Sequence, residues 1–325
     1  MKIKKLIMTI FLSFSFMMLN DVCFAESNAE SQVLDIKLTK ASVKQISNVV
    51  YAQVSSRGYD NVALKMDILK PETKEKLPTV IFVTGGGFIN ANKDNFAQQR
   101  MEIAEAGYVV ASIEYRVAPT AIFPEPLEDL KAAIRYLKAN ADKFNINPDK
   151  IALMGGSAGG YLVAMAGTSN DTTEFDKGEH LEQTSRVQAV IDLYGLSDLT
   201  KVGEGLSEQI QQLHKSPAAT ESLWVNGSPV FTGVDATINN VPEKAMKANP
   251  IHYINENTPP FLLMHGDKDT VVSPKQTEIL HQALLEKGIE STRYVVKNAK
   301  HGGEYWAQPE VVQIIIGFLD KHLKK

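Results

Sequence analysis

The sequence predicts an α/β fold in which a mostly parallel sheet of about eight strands is covered by helices on both faces. Continuous apolar runs such as Thr79–Val83 recur along the chain and are typical of buried central strands. Segments with apolar residues at spacings of three and four lie between these runs and indicate helices. Strands that alternate with helices in this way favour a doubly covered parallel sheet.

The first half of the chain supplies three predicted strands and a long helix. Asn61–Leu69 alternates apolar and polar residues, as a half-buried strand does. Thr79–Val83 is β-branched and aromatic and stops at three glycines, and Tyr108–Tyr115 is a further strand of similar composition. Pro124–Phe144 carries an apolar stripe at helical spacing.

The second half continues the same alternation. Lys150–Met154 is a short buried strand that leads into a glycine cluster, and the apolar helix Tyr161–Ala166 follows it. Val187–Tyr194 and Phe261–Met264 are two more predicted strands. The last predicted elements are the helix Pro274–Lys287, the strand Thr292–Val296 and the helix Pro309–Leu323.

Residues 200–251 break this alternation. They are rich in Ser, Pro, Gly and Asn, they lack a clear period, and they lie between two predicted central strands. The sequence therefore predicts a small cap- or lid-like insertion above the sheet. Its large apolar residues could line a pocket, although ordinary packing also explains them: Leu206, Leu213, Leu223, Trp224 and Phe231.

The N-terminus predicts a secretory signal peptide. Three lysines within the first five residues precede the largely apolar run 6–19, and Cys23 and Ala25 place small residues at −3 and −1 of a cut after Ala25. A retained anchor helix and lipid attachment at Cys23 are the alternatives. We expect residues 26–45 to form a linker or N-terminal arm, residues 46–325 to form the main domain, and the protein to be secreted or periplasmic.

The composition excludes several other classes. The 325 residues include 34 basic and 38 acidic side chains and are 44% apolar, which is typical of a globular protein and not of a disordered or fibrous one. The chain contains no block of basic residues, so the sequence does not predict a nucleic-acid partner. Loss of residues 1–25 would change the net charge from −4 to −6 and remove the single cysteine. No His and Asp cluster has metal-ligand spacing, so we expect neither a metal nor an organic cofactor.

The segment Gly155–Gly159 matches the pattern G-x-S-x-G and lies between a predicted strand and a predicted helix. This context is that of a nucleophile elbow, in which a tight turn exposes the serine hydroxyl. Ser157 is therefore the candidate nucleophile. The alternative is a serine that only caps the helix.

A serine nucleophile needs a base and an acid, in the chain order Ser, acid, His. His301 lies in a polar loop after the last predicted strand and is the preferred base, with His265 as its rival. Asp269 follows the strand that ends at His265 and is the preferred acid. Three further carboxylates remain alternatives for the acid: Asp267, Asp192 and Asp198.

Three consecutive glycines, residues 85–87, end the strand Thr79–Val83. Backbone amides at such a turn can point toward an oxyanion because no side chain blocks them. The candidate donors are the amides of Gly86, Gly87 and Ala158. An ordinary strand-to-loop turn is the alternative.

These motifs together resemble the α/β-hydrolase esterases, and in particular the hormone-sensitive-lipase group and the bacterial feruloyl or acetyl-xylan esterase-like group. The resemblance covers about residues 50–325. Four blocks carry it: Thr84–Phe88, Glu114–Pro119 with Phe123-Pro124, Gly155–Gly160, and His265–Asp269 with His301-Gly302. It implies Ser157 as nucleophile, Asp269 as acid, His301 as base, and Gly86, Gly87 and Ala158 as the oxyanion hole.

One position departs from the family pattern, because Thr84 stands where the family usually has histidine before the glycines. We expect a threonine hydroxyl to replace part of the hydrogen bonding of that histidine. The resemblance implies a serine esterase that acts on a short-chain or carbohydrate-linked ester without a cofactor. A prolyl-oligopeptidase-like peptidase and a non-catalytic binding protein on the same fold are the alternatives.

Overall fold

The computed structural model describes residues 31–233 and 236–324. The predicted signal peptide and its cut after Ala25 lie outside the described residues. The described residues fall into two units that divide between Thr39 and Lys40. In the first unit, residues 31–39 contain neither helix nor strand.

The second unit is built on a sheet to which the described residues contribute eight strands in the order β1-β2-β4-β3-β5-β6-β7-β8. Strands β3 to β8 are parallel to their neighbours among them, whereas β1–β2 and β2–β4 pair antiparallel. The predicted mostly parallel sheet is therefore confirmed. The strands are β1 Val43–Ser56, β2 Tyr59–Pro71, β3 Leu77–Val83, β4 Val109–Ile113, β5 Ile146–Gly156, β6 Ala189–Leu193, β7 Phe261–Gly266 and β8 Ser291–Val296.

Helices cover both faces of the sheet. Side chains of successive strand residues point to opposite faces, so each central strand contributes to two hydrophobic clusters. On β3, Val80 and Phe82 pack in one hydrophobic cluster with α1 and α10, and Ile81 and Val83 pack in the other with α2, α4 and α9. The helices are α1 Ala97–Glu105, α2 Glu125–Ala139, α3 Ala141–Phe144, α4 Ala158–Thr168, α5 Glu208–His214, α6 Thr220–Asn226, α7 Pro229–Thr232, α8 Pro242–Lys247, α9 Lys275–Glu286 and α10 Pro309–Leu323.

Among the described strands and α-helices outside the insertion 200–251, two were not predicted. Strand β1 begins at Val43, inside the segment expected to be a linker, and register shifts interrupt its pairing with β2. The shift between Ile46 and Val49 places both residues in the same hydrophobic cluster although they are three positions apart, whereas Val43 packs in the other cluster. This spacing hides the period of two that marks a strand. Helix α1 has the mainly polar sequence AQQRMEIAE, so it lacks a clear apolar stripe.

The insertion between β6 and β7 contains the four short helices α5 to α8 and short 3-10 turns. Its five wall candidates differ in burial, and Leu206 and Leu223 are half-buried. Trp224 is fully buried, with its ring 4.6 Å from that of Phe88 and 6.1 Å from that of Tyr161. Leu213 and Phe231 are 60% and 66% exposed. No helix among the residues that the structure describes is long and apolar enough to cross a membrane.

Candidate active site

The candidate nucleophile lies in the turn between β5 and α4. Ser157 has φ 56° and ψ −124°, a conformation that is uncommon for a residue with a side chain. Its amide donates to the Leu193 carbonyl at the end of β6 (2.9 Å). A Cβ on Gly85 would lie 2.8 Å from Cβ of Ser157, so the glycine loop after β3 approaches the elbow closely only because it carries no side chain.

Three predicted side chains meet at this turn in one line of hydrogen bonds. Nε2 of His301 lies 2.8 Å from Oγ of Ser157, and Nδ1 of His301 lies 2.7 Å from Oδ2 of Asp269. A carboxylate only accepts hydrogen bonds, so Nδ1 carries the proton of a neutral imidazole. Nε2 is then free to accept the proton of the serine hydroxyl.

Asp269 is held on both of its oxygens. Oδ1 accepts from the amides of Val271 (2.8 Å) and Val272 (3.0 Å). Oδ2 accepts from His301 and also from Nε2 of His265 (3.2 Å). Burial alone would raise the pKa of this carboxyl, but the hydrogen bonds from both histidines and the nearby imidazole hold the pKa well below its usual range. Asp269 therefore stays ionised at neutral pH.

His265, the rival base, contacts the acid and not the serine. It is fully buried at the end of β7, and its Nε2 also lies 3.0 Å from the Val272 carbonyl. Since both neighbours of Nε2 are acceptors, Nε2 carries a proton, while Nδ1 lies 3.1 Å from Oγ1 of Thr277. The histidine thus adds a second hydrogen bond to the Asp269 oxygen that His301 contacts.

The alternative acids have other partners. Oδ1 of Asp267 accepts from the amide of Asn298 (2.6 Å), so it joins two loops. Asp198 accepts from the amide of Thr200 (3.1 Å). Asp192 is fully buried, and burial raises its pKa to about 7. Among the described residues, none of these three hydrogen-bonds to His301.

The candidate oxyanion donors lie at the two turns beside Ser157. Ala158 is the first residue of α4, so its amide has no acceptor within the helix. Gly87 has φ 59°, and a Cβ on Gly86 would overlap the Asn90 carbonyl. Within the described part of the chain, the amides of Gly86 and Gly87 donate to no other atom. These amides are therefore free to bind a ligand.

The loop that carries the glycines is anchored by contacts that the sequence did not reveal. Oη of Tyr115 donates to the Thr84 carbonyl (2.8 Å). Nζ of Lys93 lies 3.1 Å from Oδ2 of Asp67 on β2, and both side chains are buried. Oγ1 of Thr84 has no partner among the described residues, so the expected substitute for the family histidine is not found at this hydroxyl.

Comparison with known proteins agrees with this architecture. The BD-FAE family model matches residues 66–284, which is more than half of the chain. The chain belongs to this family of α/β-hydrolase esterases. The fold and the family expected from the sequence are both confirmed.

Individual relatives point the same way. Esterase LipC of Mycobacterium tuberculosis is 30% identical over 227 residues, which is 69% of this chain and 53% of LipC. A truncated carbohydrate esterase from gut microbiota is similar with a TM-score of 0.74 and 26% identity, over 88% of this chain and 98% of that one. Esterase 2 of Thermogutta terrifontis with bound butyrate has a TM-score of 0.65 and 25% identity, over 86% and 94%. The chain spans about half the length of the curated relatives it matches.

Proposed function

We propose that this protein hydrolyses carboxylic esters through an acyl-enzyme on Ser157. The observation that carries the proposal is the continuous hydrogen-bond line from Oγ of Ser157 through His301 to Asp269, with contacts of 2.8 and 2.7 Å. Membership in a family of esterases supports the same reaction class.

The proposed first step is attack of Oγ of Ser157 on the ester carbonyl carbon. Nε2 of His301 takes the hydroxyl proton as the bond forms, and Asp269 stabilises the resulting imidazolium. The carbonyl oxygen becomes an oxyanion that accepts from the amides of Gly86, Gly87 and Ala158. When the carbon–oxygen bond of the leaving alcohol breaks, the imidazolium returns the proton to that oxygen.

In the second half of the reaction, water releases the acid. His301 takes a proton from water, whose oxygen attacks the acyl carbon, and the proton then returns to Oγ of Ser157. Every proton transfer takes place at His301 and every bond is made or broken at the acyl carbon. The proposed reaction therefore needs no metal or organic cofactor.

We further propose a short-chain or carbohydrate-linked ester, such as an acetyl or feruloyl ester, as the substrate. Two similar proteins support this class, since one is a carbohydrate esterase and the other has been solved with bound butyrate. The predicted signal peptide supports export, so that the substrate would be met outside the cytoplasm. N-terminal sequencing of the protein recovered outside the cytoplasm tests the cut after Ala25.

The decisive experiment compares hydrolysis of p-nitrophenyl acetate, butyrate and octanoate by the wild type and Ser157→Ala. The matched control is Ser169→Ala, which changes a serine at the other end of α4. We expect Ser157→Ala to lower kcat by about 10⁴-fold or more, Ser169→Ala to remain active, and the two shorter esters to react faster. Wild-type rates at the level of Ser157→Ala would refute the esterase proposal, and turnover of a proline-linked amide alone would support a peptidase.

A further inference from the structure

An aromatic residue that the proposed reaction does not use lies beside the base and against the turn that carries the nucleophile. Tyr194 directly follows β6 and is 2% exposed. Its φ is 46°, which is a left-handed conformation that an aromatic residue rarely adopts. Its amide donates to the Met264 carbonyl of β7 (2.7 Å), which holds the backbone in this conformation. Such an outlier in the backbone is common at functional sites.

The Tyr194 side chain contacts the base and the backbone of the nucleophile elbow. Its centroid lies 5.0 Å from that of the His301 ring at an interplanar angle of 66°. On the nucleophile side, a Cβ on Gly156 would lie 2.9 Å from Oη of Tyr194, so the phenol rests against the backbone of the elbow. The ring also packs edge to face on Trp306, at 4.4 Å, in the loop region that follows His301.

The hydroxyl of Tyr194 does not explain why this residue is there. Oη is buried and has no hydrogen-bond partner among the described residues. Burial and the nearby carboxylates of Asp269 and Asp192 raise the pKa of the phenol, so the group stays neutral. The contacts that remain are those of the ring itself.

We propose that Tyr194 is a positioning residue whose ring holds the His301 imidazole in line between Ser157 and Asp269. The proposal rests on the proposed function. Asp269 fixes only Nδ1 of the imidazole, so the ring could still swing away from Ser157 about that hydrogen bond. The Tyr194 ring occupies the space beside the imidazole, and its contact with Gly156 links the position of the base to that of the elbow.

The experiment measures kcat and KM of Tyr194→Phe and Tyr194→Leu on p-nitrophenyl butyrate, together with the melting temperature. The matched control is Phe318→Leu, because Phe318 is buried in the same hydrophobic cluster but its ring contacts His322. A misplacement of about 1 Å costs about 100-fold in rate. We therefore expect Tyr194→Leu to lose about 10- to 100-fold in kcat with little change in KM.

The conservative variant separates the ring from the hydroxyl. Tyr194→Phe should keep kcat within about threefold of the wild type. Phe318→Leu should also keep kcat within about threefold, although its melting temperature should fall about as much as that of Tyr194→Leu. The proposal is overturned if Tyr194→Leu keeps wild-type kcat, if Phe318→Leu loses as much kcat, or if Tyr194→Phe is as impaired as Tyr194→Leu. Tyr194→Met replaces the leucine variant if that variant does not fold.

A crystal structure of Tyr194→Leu provides a test that does not depend on turnover. We expect the His301 ring to leave its position 2.8 Å from Oγ of Ser157, and an unmoved ring would overturn the positioning role. A wild type without esterase activity would contradict the proposed function. An active wild type with an equally active leucine variant would contradict only the role of Tyr194.

Discussion

Replacement of Asp269 by asparagine tests the proposed acid with almost no change in shape. The carboxylate accepts four hydrogen bonds, two on each oxygen. In asparagine, one oxygen becomes an NH₂ group that can only donate. If that group took the place of Oδ1, it would face the amides of Val271 and Val272, which cannot turn away. We therefore expect it to take the place of Oδ2.

At the position of Oδ2 the new NH₂ group would face Nδ1 of His301 and reverse the direction of the hydrogen bond between the two side chains. The NH₂ group of Asp269→Asn would donate to Nδ1 of His301, so the proton of the imidazole would move to Nε2. Nε2 could then no longer accept the proton of Ser157. In comparable triads this wrong tautomer lowers kcat by about 10⁴-fold, which corresponds to about 5.5 kcal/mol.

The same variant should change how stability depends on pH. The folded-state pKa of Asp269 lies below the unfolded value of about 3.9, so the carboxylate stabilises the fold above that pH, and the stabilisation fades as the pH falls below it. The loss of charged hydrogen bonds should cost about 1–3 kcal/mol near neutral pH. The difference in melting temperature between the wild type and Asp269→Asn should narrow below about pH 4.

The assay is kcat on p-nitrophenyl butyrate for Asp269→Asn and for two control carboxylates. Asp267→Asn changes a half-exposed residue of the same turn, and Asp192→Asn changes a buried carboxyl near the elbow. A loss of less than about 10-fold in a folded Asp269→Asn would refute the tautomer argument. A collapse of kcat in Asp192→Asn but not in Asp269→Asn would assign the acid to the other strand.

Three further changes test how the site is supported. In Gly160→Ala a Cβ would overlap a buried aspartate oxygen, so thermal melts should show a loss of about 1–3 kcal/mol in the free energy of unfolding. Gly317→Ala has open space within α10 and should gain about 0.5–1 kcal/mol. Equal melting temperatures of the two variants would contradict both expectations. Burial lowers the pKa of Lys131 to about 8, below the unfolded value of about 10.4. Between these pH values the unfolded chain binds one more proton than the folded one, so the free energy of unfolding should rise with pH. Urea titrations should show a flatter dependence of this free energy on pH in Lys131→Met. Lys93→Met removes the cation beside the buried carboxylate of Asp67 and should lower the free energy of unfolding in urea by about 3–5 kcal/mol. A loss below about 1 kcal/mol would mean that this ion pair does not anchor the glycine loop.

Local patterns predicted most of the elements and the candidate residues. The apolar run in β3 and the glycine-rich turn around Ser157 are readable because each depends on neighbouring residues only. His301 and Asp269 could be proposed because chain order and loop position restrict the choice. Strand β1 was missed because its register depends on its pairing with β2, so residues 43–56 show no regular alternation by themselves.

The supporting contacts could not be predicted in the same way. His265 bonds to Asp269 across a turn, and Tyr194 contacts His301 from a strand more than a hundred positions away in the chain. Neither contact has a signature in local composition. The dipeptide Tyr194-Gly195 at a strand end was visible, but its left-handed backbone was not.

By itself, the sequence determined the fold class, the family and the candidates for nucleophile, acid and base, because hydrophobic period and short motifs depend on neighbouring residues. Only the tertiary structure decided which histidine hydrogen-bonds to both Ser157 and Asp269 and which one hydrogen-bonds to Asp269 without contacting Ser157. The physical reason is that parallel strands bring their carboxyl ends to one edge of the sheet, where loops that are distant in the chain meet. Which side chains touch there depends on the register of the strands and on the packing beneath the loops.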